Sequence, residues 1–105
     1  MNKENVNLMS LFKEKKYSQI LSIIDNQVKS EQKTPALLNL SGVCRMMLKN
    51  SNESIKLAID DFRDSYVREI DKKKSKDAIK NLINASVTFF DNEFTKNQNQ
   101  LNNNF

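Results

Sequence analysis

Three groups of residues have the types and spacing to do chemistry. Asp60, Asp61 and Asp64 crowd three carboxylates into five positions, and on a helix Asp60 and Asp64 would share a face. Such a pair invites general acid–base work. Arg63 and Lys56 lie close enough to neutralise it, so the cluster reads as a solvated helix face. Cys44 is the one candidate nucleophile. It falls on an apolar stripe beside Leu40 and Met47, and the chain has no His to act as its base, so it reads as a buried structural cysteine. Lys72, Lys73, Lys74 and Lys76 form the densest basic patch and could meet phosphates. They lack interleaved Arg or aromatic side chains and read as a solvated loop. No catalytic constellation emerges, and no metal or cofactor site.

The composition points the same way. The 105 residues suit one domain with a real core but not two. Without His, and with a single Cys, neither a zinc cluster nor an internal disulfide can be built. One Gly nearly excludes phosphate-cradling loops and tight hairpins. The net charge of +4 is shared between the two ends, so nothing reads as a nucleic-acid arm. No apolar run is long enough to span a bilayer, and Met1–Lys16, with four Lys and two Glu, does not read as a secretory signal. The unpaired cysteine fits a reducing cytoplasm. Asn (15) and Lys (14) are abundant; both have AT-rich codons, which suggests an AT-rich bacterial or phage source.

The elements that must position these residues are helices. With so few Gly and Pro, the chain has few places to turn, and its apolar residues recur at helical spacing. The spacing predicts a helix over 4–14 (Val6, Leu8, Met9, Leu11, Phe12) and a second over 17–30 (Tyr17, Ile20, Leu21, Ile24, Val28). Thr34-Pro35 starts a third as cap and first residue. That helix, 35–49, has Leu37, Leu40, Cys44, Met47 and Leu48 on one face, and its mid-helix Gly42 marks the close approach of another helix. A fourth, 52–70, is capped by Asn50 with Glu53 reaching back, and carries Ile55, Ala58, Ile59, Phe62, Tyr66 and Ile70. Ser75 caps a fifth.

The fifth helix, 75–95, has two apolar stripes. Ile79, Leu82, Ala85, Ser86 and Phe89 form one; Ile83, Val87, Phe90 and Phe94 form the other. One neighbour needs one stripe, so two imply burial on two sides. The tail, 96–105, holds five Asn and two Gln and has the composition of a disordered segment. Yet Phe94, Leu101 and Phe105 fall at i, i+7 and i+11, a spacing that would carry the last helix onward.

At an offset of 34 residues, Leu8 falls opposite Gly42, Leu11 opposite Arg45 and Asn5 opposite Asn39. Leu38-x2-Ser41-Gly42-x2-Arg45 followed by Ala58-x3-Phe62, and Leu8-x2-Leu11, Tyr17 and Ile20-x3-Ile24 before it, resemble the tetratricopeptide repeat, a 34-residue helical hairpin. The second unit departs by about four extra residues around Lys49–Ser54 and by Arg45 in place of the aromatic; neither unit has the closing Pro, and the third is a first helix only, with Ala85 at the Gly position. The resemblance implies an all-α domain over 1–95, with antiparallel hairpins in a right-handed superhelix of about five helices.

It also implies a function. Arrays of this family bind extended peptides or partner helices in a concave groove lined by their first helices. Carried over by the offset, to within one residue at Met46, the lining would be Asn5, Met9 and Lys13 in the first unit and Asn39, Val43 and Met46 in the second. The amides would both donate to and accept from peptide backbone, and the Met side chains would give an adaptable floor. The second stripe of the last helix, lacking a following hairpin, would be covered in a homodimer through Ile83, Val87, Phe90, Phe94 and Leu101. The expected function is thus a non-catalytic protein–protein interaction module. The alternatives are a small nucleic-acid binder using Lys72–Lys76 and Lys13–Lys16, and an accessory segment of a larger transferase-type protein.

Overall fold

A computed structural model describes the backbone of residues 3–48 and 51–103 and the side chains of residues 8–48 and 51–98. Five helices account for nearly all of it: α1 (Lys3–Lys13), α2 (Tyr17–Gln27), α3 (Pro35–Leu48), α4 (Asn52–Arg68) and α5 (Lys76–Asn103), with a single 3-10 turn at Ser30–Gln32. No strand occurs among the described residues. Each helix packs on the next, and α3 also touches α5.

The helix ends show why the chain turns where it does. At the end of α1, Lys15 adopts a left-handed conformation (φ 61°). Lys16 N–H then donates to Leu11 C=O at 2.9 Å and Lys15 N–H to Phe12 C=O at 3.0 Å, the paired closure that ends a helix with a reversal. Thr34 caps α3 as its sequence promises, its Oγ1 accepting from Leu37 N–H at 3.1 Å. For α4 the cap is Ser51, whose hydroxyl accepts from Ser54 N–H at 3.2 Å; the predicted cap, Asn50, lies outside the described residues. Ser75 does not cap α5 with its side chain. Its buried hydroxyl donates backward to Lys72 C=O at 2.7 Å and closes the preceding turn instead.

Two apolar clusters share α3. Leu8, Ile20, Ile24 and Cys44 form the first, joining α1, α2 and α3, with Phe12 and Tyr17 meeting edge to face at its rim. Ile55, Ala58, Phe62 and Ala85 form the second, joining α4 to α5, with Val43 and Met46 of α3 packed against it. Leu37, Leu40 and Cys44 of the predicted face join the first cluster, but α3 is flanked on both sides: Leu38, Ser41 and Gly42 are buried as well, and Met47, expected inside, is half exposed. Gly42 is where the helices come closest. A β-carbon built there would stand 2.5 Å from Phe62 Cε1, so the ring occupies the space a side chain would need.

Polar side chains tie the ends of the helices across the fold. Ser65 Oγ donates to Pro35 C=O at 2.8 Å, holding the start of α3 against α4. The Arg68 guanidinium donates to the carbonyls of Ser30 and Lys33 at 2.8 and 2.9 Å, and α4 ends at Arg68, two residues earlier than its apolar pattern predicts. Ile70, expected on the α4 stripe, is consequently 95% exposed. At the other end, Asn52 Nδ2 donates to Phe89 C=O and to Glu93 Oε1, at 3.2 and 2.8 Å. The start of α4 therefore lies level with residues 89–93, and α5 continues past it for about ten residues, roughly 15 Å at helical rise.

Candidate functional site

The carboxylate cluster divides in two. Asp60 and Asp64 both face Arg63, at 3.2 and 3.8 Å, on a solvated surface. Asp61 turns inward. Its Oδ2 accepts from Ser41 Oγ at 2.7 Å and from Arg45 Nε at 2.9 Å, and Arg45 reaches on to Asp25, which Lys33 also contacts at 3.2 Å. This chain of charges seams α2, α3 and α4 between the two apolar clusters. Burial holds the Asp61 carboxyl above the usual carboxylate range; the hydrogen bonds from Ser41 and Arg45 and the Arg45 charge pull the other way. The seam joins three helices, and among the described residues no buried side-chain N or O lacks a partner. Ser41 and Arg45 are four apart on α3, a spacing that marks a shared face, but nothing local pairs that face with Asp61.

Cys44 is fully buried, and burial pushes its thiol up to about 11, opposed only by the neighbouring Arg45 charge. It packs in the first apolar cluster, where little of it is thiolate at neutral pH. Lys72 folds back on its own segment: its Nζ lies 4.1 Å from the Tyr66 ring centroid and donates to Tyr66 C=O at 2.8 Å. No group of three potential metal ligands occurs among the described residues, and none of their helices is long and apolar enough to cross a membrane. A cleft of about 280 Å³ lies between the starts of α3 and α5, with Pro35, Ala36 and Ala78 as well as Asn39, Glu69 and Asp77 in its walls.

The residues expected to line a peptide groove do not share one floor. Asn39, Val43 and Met46 are half-buried along the α3–α5 seam, where Asn39 Oδ1 accepts from Asn81 Nδ2 at 3.0 Å. Val43, Met46 and Met47 line a small cleft of about 140 Å³ with Phe62, Asn81 and Asn84, room for one side chain of a partner. Met9 and Lys13 are exposed on α1, and Met9 belongs to neither core cluster nor that cleft. The side chain of Asn5 lies outside the described residues. So the amide repeated in register, Asn39, docks α5 rather than standing free.

The two stripes of α5 have opposite fates. Leu82, Ala85 and Phe89 pack on α4, while Ile79, on the edge of that stripe, is 38% exposed. On the far side Ile83, Val87, Phe90 and Phe94 are 59–69% exposed. The Phe90 ring leans edge to face on Phe89, centroids 5.6 Å apart, which holds it upright on the helix. Leu101, expected on the same stripe, has its backbone in α5 and its side chain outside the described residues. The four exposed side chains present about 500 Å² of apolar surface, within the roughly 300–600 Å² of the largest patch on a typical monomer. Comparison with models of known families, with curated proteins and with solved structures finds no match. The likeness to tetratricopeptide repeats is therefore carried by the residues themselves.

Proposed function

We propose that the protein is a non-catalytic protein–protein interaction module of tetratricopeptide-like hairpins, working in the cytoplasm, that receives a partner helix on the open face of α5. One observation carries this reading: four large apolar side chains stand exposed in a straight stripe, on the side of α5 away from α4. Helix-on-helix docking uses such a stripe, because anchors at i, i+4, i+7 and i+11 fall on one face and meet the ridge of a second helix. The groups that could have done chemistry support it by being engaged elsewhere, with Cys44 in the core and Asp61 in the helix seam. The cleft lined by Val43 and Met46 would add one side-chain pocket near the same helix.

Hydroxyl-radical footprinting tests the proposal. Oxidation of Phe90 and Phe94 is compared between submicromolar purified protein and the same protein in the extract of its expressing cells. Severalfold protection in the extract, lost when Phe90→Asp is introduced and absent at the exposed Val67 on α4, is the expected result. Equal oxidation in both samples would refute the reading.

A further inference from the structure

The period of the open stripe says more than that it is apolar. Ile83, Val87, Phe90 and Phe94 are spaced four, three and four residues apart, and the same alternation places Lys76 and Lys80 before them and Asn97 and Leu101 after. A 4-3-4 alternation is the seam of a two-helix coiled coil, in which each side chain enters a gap on the facing helix. We infer that the occupant of this seam is a second copy of the chain, its α5 running antiparallel, with Ile83 opposite Phe94 and Val87 opposite Phe90 of the partner. The inference rests on the proposal that this face is an interaction surface and names what it meets.

Three physical points select this arrangement. The first is volume. In the antiparallel register each layer sets a branched aliphatic against an aromatic ring, so large meets small across the seam. A parallel pair would stack Phe90 on Phe90 and Phe94 on Phe94 while leaving Val87 against Val87 thin. The second is charge. A parallel pair brings Lys80 and Lys76 against their own copies at seam positions, where like charges repel with nothing between them. Reversed, Lys80 comes level with Asn97 of the partner, and the flanking Asp91 and Glu93 come beside the neutral Asn84 and Ser86. Antiparallel helix dipoles favour the same direction.

The third is area and reach. Two faces of about 500 Å² contribute at most roughly 1,000 Å² from these four side chains, short of the roughly 1,200 Å² at which stable interfaces begin, so the flanking residues must supply the rest. The stretch of α5 that runs past α4 supplies the remainder. In this register, residues 94–103 of one copy lie along residues 74–83 of the other and cover the half-exposed Ile79 as well as Ile83. A two-fold axis between residues 88 and 89 makes the contact closed, so association stops at the dimer.

Sedimentation and disulfide trapping test the inference on the full chain. Purified protein is expected to sediment as a dimer at tens of micromolar, and Phe90→Asp should weaken the dimer by about thirtyfold or more, the loss typical of a central anchor. Because Phe90 is 69% exposed and its ring contact is with Phe89 on the same helix, circular dichroism should be unchanged by the substitution. For direction, Ile83→Cys and Phe94→Cys are made singly, keeping the buried Cys44, and oxidised separately and mixed. The antiparallel register places residue 83 beside the partner's 94 but about 16 Å from its own counterpart, beyond disulfide reach. Crosslinks should therefore form in the mixture and not within either variant. Homodisulfides in each variant alone would overturn the inference in favour of a parallel pair. A monomer at 100 µM whose Phe90 is nevertheless protected in cell extract would overturn the second copy and leave the interaction reading standing. A monomer without such protection would refute both.

Discussion

Replacing Gly42 by Ala isolates the closest contact in the fold. By helix propensity alone the change should stabilise α3, since Gly in a helix interior is about 1 kcal/mol worse than Ala. The opposite is expected here. The added methyl would meet three Phe62 ring carbons at 2.5, 2.7 and 2.8 Å, roughly 1 Å inside the ordinary carbon–carbon contact distance. The ring is 1% exposed and packed with Ile55, Ala58 and Ala85. Relief requires α3 and α4 to move apart or Phe62 to leave its rotamer, an overpacking cost of about 2–3 kcal/mol. The net effect is a loss of about 1–2 kcal/mol, seen as a drop of about 4–15 °C in Tm. Urea and thermal unfolding followed by circular dichroism would measure it. The same substitution in a Phe62→Leu background should cost much less, giving a coupling of about 1 kcal/mol or more between the two sites. If Gly42→Ala is neutral or stabilising in the native background, or identical in both backgrounds, the close-contact account of Gly42 is wrong.

Two further outcomes are expected. Cys44, buried with its thiol pushed up to about 11, should react with a thiol reagent at pH 8 only as fast as the protein unfolds, and rapidly once denatured; a native rate near that of a free thiol would contradict its place in the core. Asp61 holds its proton more tightly in the folded chain than in the unfolded one, so its contribution to stability is greatest below the ordinary Asp value, near pH 4, and is lost as pH rises through the raised value. Arg45→Met removes both a hydrogen bond and a charge that oppose the shift, so carboxyl NMR should show Asp61 titrating still higher, with a steeper fall of Tm toward neutral pH. An unchanged or lower titration would mean that Arg45 does not act on Asp61.

Much of the helical framework was readable from spacing, because a 3.6-residue period is a local property. Ile20 and Ile24 on α2, and Ile55, Ala58 and Phe62 on α4, were expected on buried stripes and are buried. Gly42 was legible as a close-approach point because nothing else justifies Gly inside a helix. The second buried face of α3 was not. A helix flanked on both sides has little amphipathic contrast, so Met47 and Ser41 could exchange roles without disturbing the pattern. Ile70 misled for a different reason: the apolar period ran on, but Arg68 reaches across to the carbonyls of Ser30 and Lys33, and the helix ends. Asp61 looked like part of a surface cluster because its partners, Ser41 and Arg45, lie 20 and 16 residues away.

Sequence by itself determined that this chain is helical, roughly where its helices begin, and that α5 carries two apolar stripes. These follow from neighbours within a few residues, where backbone geometry leaves little choice. Only the tertiary structure decided which stripe α4 covers, which carboxylate is drawn inside, and that the amide of Asn39 is spent on Asn81. Those outcomes depend on pairing segments distant along the chain, and two stripes of similar hydrophobicity cannot be ranked until the neighbouring helix is in place. With α4 seated on Ala85 and Phe89, the face bearing Val87 and Phe90 is the one left open.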